Sequence, residues 1–288
     1  MAAKIDKKVA LVTGGSQGIG RAISTAFAKS GYTVIICART AEDVEKAATE
    51  LSSLGGRCEG LVLDVSDAEA IRSAVSTVAE SYGRIDVLVA CAGIYGPIGV
   101  LEENDSSAWE RAIRVNLCGT VFTVQAVLPT MKKQGNGCII TLAGGGVGGP
   151  SIKPNFSSYV TSKFAICGFT EAVSKELAGT GVRINAISPG AVNTRLLEEV
   201  LSSGKKAGKA FYESSKKQKE TGGTSPWVAA EFALFLASDV AKHINGKVLS
   251  AVWDKKEKLS SMKDEMNGSV YTLRRIDSAL FWEKKKQA

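Results

Sequence analysis

The stretch Lys8-Val9-Ala10-Leu11-Val12-Thr13-Gly14-Gly15-Ser16-Gln17-Gly18-Ile19-Gly20 decides the fold. Lys8 to Val12 is mostly apolar and β-branched, as a buried strand should be. The glycines follow at once. Arg21 to Ser30 then has helical periodicity, and Gly31 supplies its stop. Strand, glycine turn and helix in that order make a phosphate cradle. Glycines let the backbone turn sharply and approach a pyrophosphate closely, and the helix N-terminus offers free N–H groups and a favourable dipole. Gly14, Ser16, Gln17, Gly18, Ile19 and Gly20 are therefore candidate cofactor-binding residues. The spacing Gly14-x-x-x-Gly18-x-Gly20 is not the commoner G-x-G-x-x-G. Taken alone, the loop could equally be an ordinary glycine-rich turn.

The next apolar run, Thr33-Val34-Ile35-Ile36-Cys37, reads as a second strand. An acidic residue at its end would bond the adenosine ribose and favour NAD. Here the chain continues Ala38-Arg39-Thr40, and a guanidinium at this place can grip a 2′-phosphate by two parallel hydrogen bonds. NADP(H) is the cofactor expected, with solvation of a loop as the alternative use of Arg39. Thr40-x-x-Asp43 and Ser66-x-x-Glu69 resemble capping boxes that start helices. Asp64 then ends a third strand, Cys58 to Leu63, where it could accept a bond from adenine or serve the turn.

Farther on, Tyr159 and Lys163 stand four residues apart in a helical pattern that runs to Ala178, so they share a face. A phenol ordinarily titrates near a pKa of about 10. A neighbouring ammonium would lower that value and let Tyr159 exchange a proton with a ketone or an alcohol. The bare spacing is common. It gains meaning from the glycine loop upstream.

With Asp64-Val65, Cys91-Ala92-Gly93, Val115-Asn116, Tyr159-x-x-x-Lys163 and Pro189-Gly190 following the glycine loop in order, the chain resembles the short-chain dehydrogenase/reductase family over residues 5 to 253. The resemblance implies a single-domain α/β fold of Rossmann type: a doubly wound parallel sheet of about seven strands, with residues 254–288 as a C-terminal extension. It makes Tyr159 the acid/base and has Lys163 hold the nicotinamide ribose and lower the tyrosine pKa. Asn116 would anchor a water that links Lys163 to solvent, or serve a helix kink or an internal hydrogen bond. Val65, Cys91, Ala92 and Gly93 would line the cofactor, and Pro189, Gly190, Val192 and Thr194 its nicotinamide end. The expected reaction is interconversion of a ketone and a secondary alcohol, in a homodimer or homotetramer paired through the helices that carry Asn116 and Tyr159.

Two positions depart from the family's pattern. Ala90-Cys91-Ala92-Gly93 replaces Asn-Asn-Ala-Gly and loses a polar side chain that helps hold the central strands. After the fifth strand, Cys138 to Leu142, the serine that would bond the reacting oxygen falls on Ala143 or Gly144. Losing one such donor can cost about 10²–10³ in rate. Ser151, Asn155, Ser157 or a loop N–H from Gly144 to Gly146 could stand in, or the substrate could supply the donor. The competing reading is an NADP(H)-binding scaffold or sensor with little chemistry.

Composition bounds the rest. The 288 residues alternate strand and helix patterns without a linker, as one domain over 1–253 would. No apolar run reaches membrane-spanning length, and Met1-Ala2-Ala3-Lys4 lacks a secretory pattern, so a cytoplasmic protein with no membrane partner is expected. Six cysteines without a CxxC pair read as free thiols, and one histidine, His243, cannot build a metal site alone. The formal charge of +7 gathers in two places. Residues 203–220 carry six lysines against two glutamates, where a basic lid could attract a phosphorylated carbonyl or alcohol substrate, or simply form a solvated helix face. No motif supports nucleic-acid binding. The tail holds nine basic and six acidic residues together with Val270 to Ile276, Phe281 and Trp282. Those apolar groups call for burial on this chain or a neighbouring subunit, or the tail is disordered.

Overall fold

The computed structural model describes residues 7–54, 56–144, 146–147 and 152–274. Seven parallel strands form one sheet in the order β3-β2-β1-β4-β5-β6-β7. They are β1 Val9–Thr13, β2 Thr33–Ala38, β3 Arg57–Val62, β4 Val87–Ala90, β5 Gly137–Leu142, β6 Val182–Ser188 and β7 Val248–Ser250. The chain winds outward from β1 in one direction and from β4 in the other. The crevice at the carboxyl ends of β1 and β4 is therefore the switch point where such sheets bind ligands. The expected doubly wound α/β sheet is present, and β1, β2, β3 and β5 each fall within a residue of the range read from the sequence. Every residue of β1 and β5 is buried, which explains their unbroken apolar runs.

Helices cover both faces. On one side α1 (Gly18–Lys29) packs against α9 (Pro226–Ala237), with Ile23, Phe27, Phe232 and Leu236 in the core. On the other, α3 (Ala68–Tyr82), α5 (Gly119–Gln134) and α6 (Ser157–Glu176) supply Ile71, Val75, Val127, Met131 and Val173. The buried Asp86 carboxylate accepts the Val9 N–H at 2.8 Å and so ties the start of β1 to β4.

Three local expectations are corrected. Ser66 does not cap α3: its N–H and hydroxyl both bond Asp64 Oδ1, and Asp67 caps the helix by accepting from the Glu69 and Ala70 N–H groups. Thr40 precedes α2 (Ala41–Ser52) without a side-chain cap bond. A continuous helical run, Ser106–Gln134, is long and apolar enough by length and composition to cross a membrane. It joins α4 (Ser106–Ile113) to α5 through a π-helical turn, Arg114–Cys118, and its inward face is spent on the core. The extra residue of the π turn keeps the helix going while it rotates Asn116 inward.

After β7 the chain forms α10 (Lys256–Ser261) and a short turn at Glu265–Asn267, and it folds back onto the domain as far as Arg274. Arg275, Ile276, Phe281 and Trp282 lie outside the described residues.

Candidate active site

The glycine turn leaves β1 at Thr13 and enters α1 at Gly18. The N–H of Gly14 reaches Cys37 O at 2.7 Å, which holds the turn against the end of β2. Gln17 precedes α1 without a side-chain cap bond, and the first turn carries no acid. No capping side chain therefore competes for its leading N–H groups, although the Gly20 N–H faces the Cys91 thiol. Gly20 has no room for a side chain: a Cβ there would lie 2.2 Å from Gly14 O.

One arm of the groove is lined by Gly14, Ser16, Gln17, Arg39, Val65, Ala92 and Gly93. The adjoining arm adds Gly18, Ile19, Gly20, Cys91 and Thr194. Arg39 borders both arms, is exposed, and makes no ion pair among the described residues. Asp43 borders the first arm from α2, set back from the end of β2. Asp64 is not among the lining residues. Burial works against its charge, but the two Ser66 bonds, with Arg39 and Arg111 nearby, hold its carboxyl below the usual range. Arg195, at the start of α7 (Arg195–Ser203), lines both arms and was not singled out from sequence.

The missing polar side chain after β4 is offset by Thr13. Its hydroxyl accepts the N–H groups of Cys91 at 3.1 Å and Ala92 at 3.3 Å, joining the two strand ends across the switch point. Burial pushes the Cys91 thiol up to about 11, so it stays protonated.

Tyr159 and Lys163 lie on α6 as the spacing requires. Asn116 is fully buried. Its side chain accepts the Ile94 N–H at 2.8 Å and donates to Ile94 O at 2.9 Å and to Ser162 Oγ at 3.0 Å. It thus fastens the segment after β4 to α6. Lys163 is 4 % exposed, and its Nζ donates to Leu142 O at 2.9 Å. The expectation that it lowers the Tyr159 pKa is not met. Burial, with Tyr95 and Cys91 close by, raises the phenol above its ordinary value. The ammonium lies 5.6 Å from the ring centroid and is itself pushed down to about 8 by burial. Four-residue spacing brings the two groups together, but it does not reveal that desolvation outweighs their attraction.

Tyr159 opens into a cleft of about 680 Å³ that also meets Ile19, Pro189, Gly190, Val192 and Thr194. Ile19 and Thr194 also line the second arm of the groove, so the cleft at Tyr159 adjoins the glycine turn. A Cβ at Gly144 would lie 2.8 Å from Tyr159 Oη, so the tyrosine hydroxyl stands where a side chain at 144 would begin. Ala143 is buried against Val147, Cys167 and Ala186. Of the proposed stand-in donors, Asn155 donates to Lys206 O at 2.8 Å, and Ser157, which accepts from Trp109 Nε1 at 3.0 Å, does not line the cleft. Ser151 and Gly145 lie outside the described residues. Tyr95 lines the cleft instead, its ring 4.7 Å from that of Tyr159, and burial pushes its phenol up to about 12.

The basic segment contributes Phe211 and Gln218 of α8 (Lys209–Thr221) to the cleft, and none of its lysines. Lys219 pairs with Glu198, and Lys216 lies over the Tyr212 ring. The cleft also takes Trp253 and Tyr271, Thr272 and Leu273 of the tail. Sequence offered only one signal for these residues, the apolar run within an otherwise polar tail. Among the described residues no cluster of three or more His, Cys, Asp or Glu could hold a metal.

The family model described as short chain dehydrogenase matches residues 8–205. The chain is 34 % identical over 246 residues to 3-oxoacyl-[acyl-carrier-protein] reductase FabG of Thermotoga maritima, covering 85 % of this chain and 96 % of that protein. It is 36 % identical over 244 residues to D-threitol dehydrogenase of Mycolicibacterium smegmatis, covering 84 % and 90 %. Among solved structures, an actinorhodin polyketide ketoreductase with NADPH superposes with a TM-score of 0.78 at 31 % identity, over 87 % of this chain and 97 % of that one. An NAD⁺-bound xylitol dehydrogenase gives 0.78 at 29 % identity, over 86 % and 98 %. With the sheet order, the glycine turn and the Tyr–Lys helix on the page, these matches establish that the chain belongs to the short-chain dehydrogenase family of oxidoreductases.

Proposed function

We propose that this protein reduces a ketone to a secondary alcohol with NADPH, or runs the reverse reaction, and that Tyr159 is the proton donor. The observation that carries the reading is that Ile19 and Thr194 line both the cleft that holds Tyr159 and the groove arm that holds Gly18 and Gly20, so the uncapped glycine turn adjoins the tyrosine. The groove fits a dinucleotide. Its turn is stripped of side chains at Gly14, Gly18 and Gly20, and its helix N-terminus is open to an anion. Solved relatives include both NADPH-bound and NAD⁺-bound proteins, so the choice of NADP(H) rests on Arg39, with Arg195 across the groove. When bound, the nicotinamide supplies hydride to the carbonyl carbon. Tyr159 enters as the neutral phenol that its surroundings favour and hands its proton to the carbonyl oxygen. Lys163 orients the ribose end, and Asn116 keeps the segment at Ile94 against α6.

The second hydrogen bond to the reacting oxygen comes from Tyr95, which remains a donor across the working range because burial keeps it protonated. Replacing Tyr95 with Phe is expected to lower kcat by about 10²-fold with NADPH affinity unchanged. Restoring the family's serine by Gly144→Ser is expected to reduce turnover, because the new Cβ meets Tyr159 Oη at 2.8 Å. Steady-state kinetics on both variants decides this. A Tyr95→Phe enzyme at full kcat, or a Gly144→Ser enzyme faster than the parent, removes Tyr95 from the role.

Reduction should also fade with rising pH. Lys163 is charged below its depressed pKa of about 8 and neutral above it. Because kcat/KM reports the free enzyme, it is expected to fall as pH passes through about 8. A profile that stays flat well past that point would show that the ammonium is not needed.

The test of the whole reading is titration with NADPH and NADH by fluorescence, followed by cofactor oxidation against a ketone panel. Preferential NADPH binding with turnover is the expected result. Tight binding without turnover on any ketone would leave a cofactor-binding scaffold, and binding of neither cofactor would end the reading.

A further inference from the structure

The tail beyond β7 is fastened at several points, and the fastened part forms one wall of the cleft. Leu259 and Met266 are buried in the core shared by α1 and α9. Lys247, just before β7, is 3 % exposed, and its Nζ donates to Gly268 O at 2.7 Å and to Val270 O at 3.0 Å. Both of those bonds go to the tail, so this buried ammonium is spent on holding it. Next to it the Val248 N–H reaches Tyr271 O at 2.7 Å. Beyond, Arg274 forks onto the Glu171 carboxylate of α6, with Nη1 to Oε2 at 2.8 Å and Nη2 to Oε1. Tyr271 lies at φ 56°, a conformation that bulky residues seldom adopt, and the bonds on either side hold it there. Between these anchors Tyr271, Thr272 and Leu273 face the cleft that holds Tyr159 and Gly144. Leu273 packs against the small apolar cluster of Ala143, Val147, Cys167 and Ala186 beside the proton donor.

We propose that Tyr271 and Leu273 form the size-selecting wall of the substrate pocket, and that Lys247 is the positioning residue that keeps this wall in place. The substrate class is a ketone whose substituent on the tail side is apolar and compact. Thr272, between Tyr271 and Leu273, donates its hydroxyl to Ser269 O, which leaves Leu273 and the Tyr271 ring as the apolar surface of that wall. The inference rests on the oxidoreductase reading for its substrate, while the latch stands on the bonds alone.

Three full-length variants test it: Leu273→Ala, which hollows the wall, Leu273→Trp, which thickens it, and Lys247→Met, which keeps the stem and removes both bonds. KM and kcat are measured with NADPH on a series of ketones of increasing apolar bulk, and amide hydrogen exchange is followed at Val248 and across 259–273. Leu273→Ala is expected to lower KM for the bulkier ketones about tenfold relative to the smallest, with kcat held within about twofold, the difference of one well-filled pocket site. Leu273→Trp shifts the preference the other way. Lys247→Met speeds exchange along the tail and broadens the size range. An unchanged size preference in both Leu273 variants overturns the wall, and unchanged exchange in Lys247→Met overturns the latch. If the parent enzyme turns over no ketone, the oxidoreductase reading has failed on its own. Calorimetric affinities of the same ketones for the parent and Leu273→Ala then decide the wall.

Discussion

Tyr159→Phe is expected to lower kcat for ketone reduction by about 10²–10⁴-fold, the usual worth of a positioned general acid, while NADPH affinity stays close to that of the parent. The ring makes its contacts without the hydroxyl. It packs edge-on against Tyr95 at 4.7 Å, and Phe keeps that face. The hydroxyl, in contrast, lies beside Gly144 at the end of the cleft, where it can pass a proton to a carbonyl at neutral pH. Lys163 is turned toward Leu142 O, and burial keeps the Cys91 thiol protonated up to about 11. Single-turnover oxidation of bound NADPH separates the chemical step from binding. A Phe variant that turns over at the parent rate would mean that the proton comes from elsewhere and that the roles given to Tyr159 and Tyr95 are wrong.

The second large effect belongs to Gly20→Ala. One added methyl would stand 2.2 Å from Gly14 O and 2.8 Å from Gly14 C. Both are backbone atoms of the glycine turn proposed to receive the phosphates, so no rotamer relieves the contact and the loop itself must open. Overpacking of this kind costs about 1–3 kcal/mol. Spent on distorting the cradle, that becomes roughly ten- to hundredfold weaker NADPH binding. Gly168→Ala is the control. It lies on α6 with nothing within 4 Å of the added atom, and in a helix the change is neutral or mildly stabilising. NADPH titration with a melting curve for each variant checks the pair. Equal affinity in Gly20→Ala and the parent would show that the turn does not shape the phosphate site.

The parts of this molecule that could be read from the chain are those whose cause is local. The glycine turn, its flanking strand and helix, and the Tyr159–Lys163 face all follow from spacing within about twenty residues. The same local reading misassigned the start of α3, because Ser66 and Asp67 both suit a cap and only the turn at Asp64 decides between them. It misjudged the Tyr159 pKa because burial is a property of everything packed around the ring. It saw no long apolar run where the π turn joins α4 to α5 into a single helix. Arg195, Tyr95, Phe211 and Trp253 went unremarked since each reaches the cleft from a different element and none sits in a recognisable pattern. Gly144 was one of two candidates for the missing serine. Only the distance to Tyr159 Oη shows which backbone position faces the hydroxyl.

The path of the tail has a further consequence at the rim of the sheet. A last strand normally presents a row of unpaired N–H groups that can recruit a strand from another molecule. In β7 these groups are already used. The Val248 N–H goes to Tyr271 O, and the Ser250 N–H goes to the Asp254 carboxylate at 2.7 Å. The sheet therefore offers no template at this edge for annealing into a continuous inter-molecular ladder. The same short segment that walls the cleft thus also closes this edge of the sheet to a strand from another molecule.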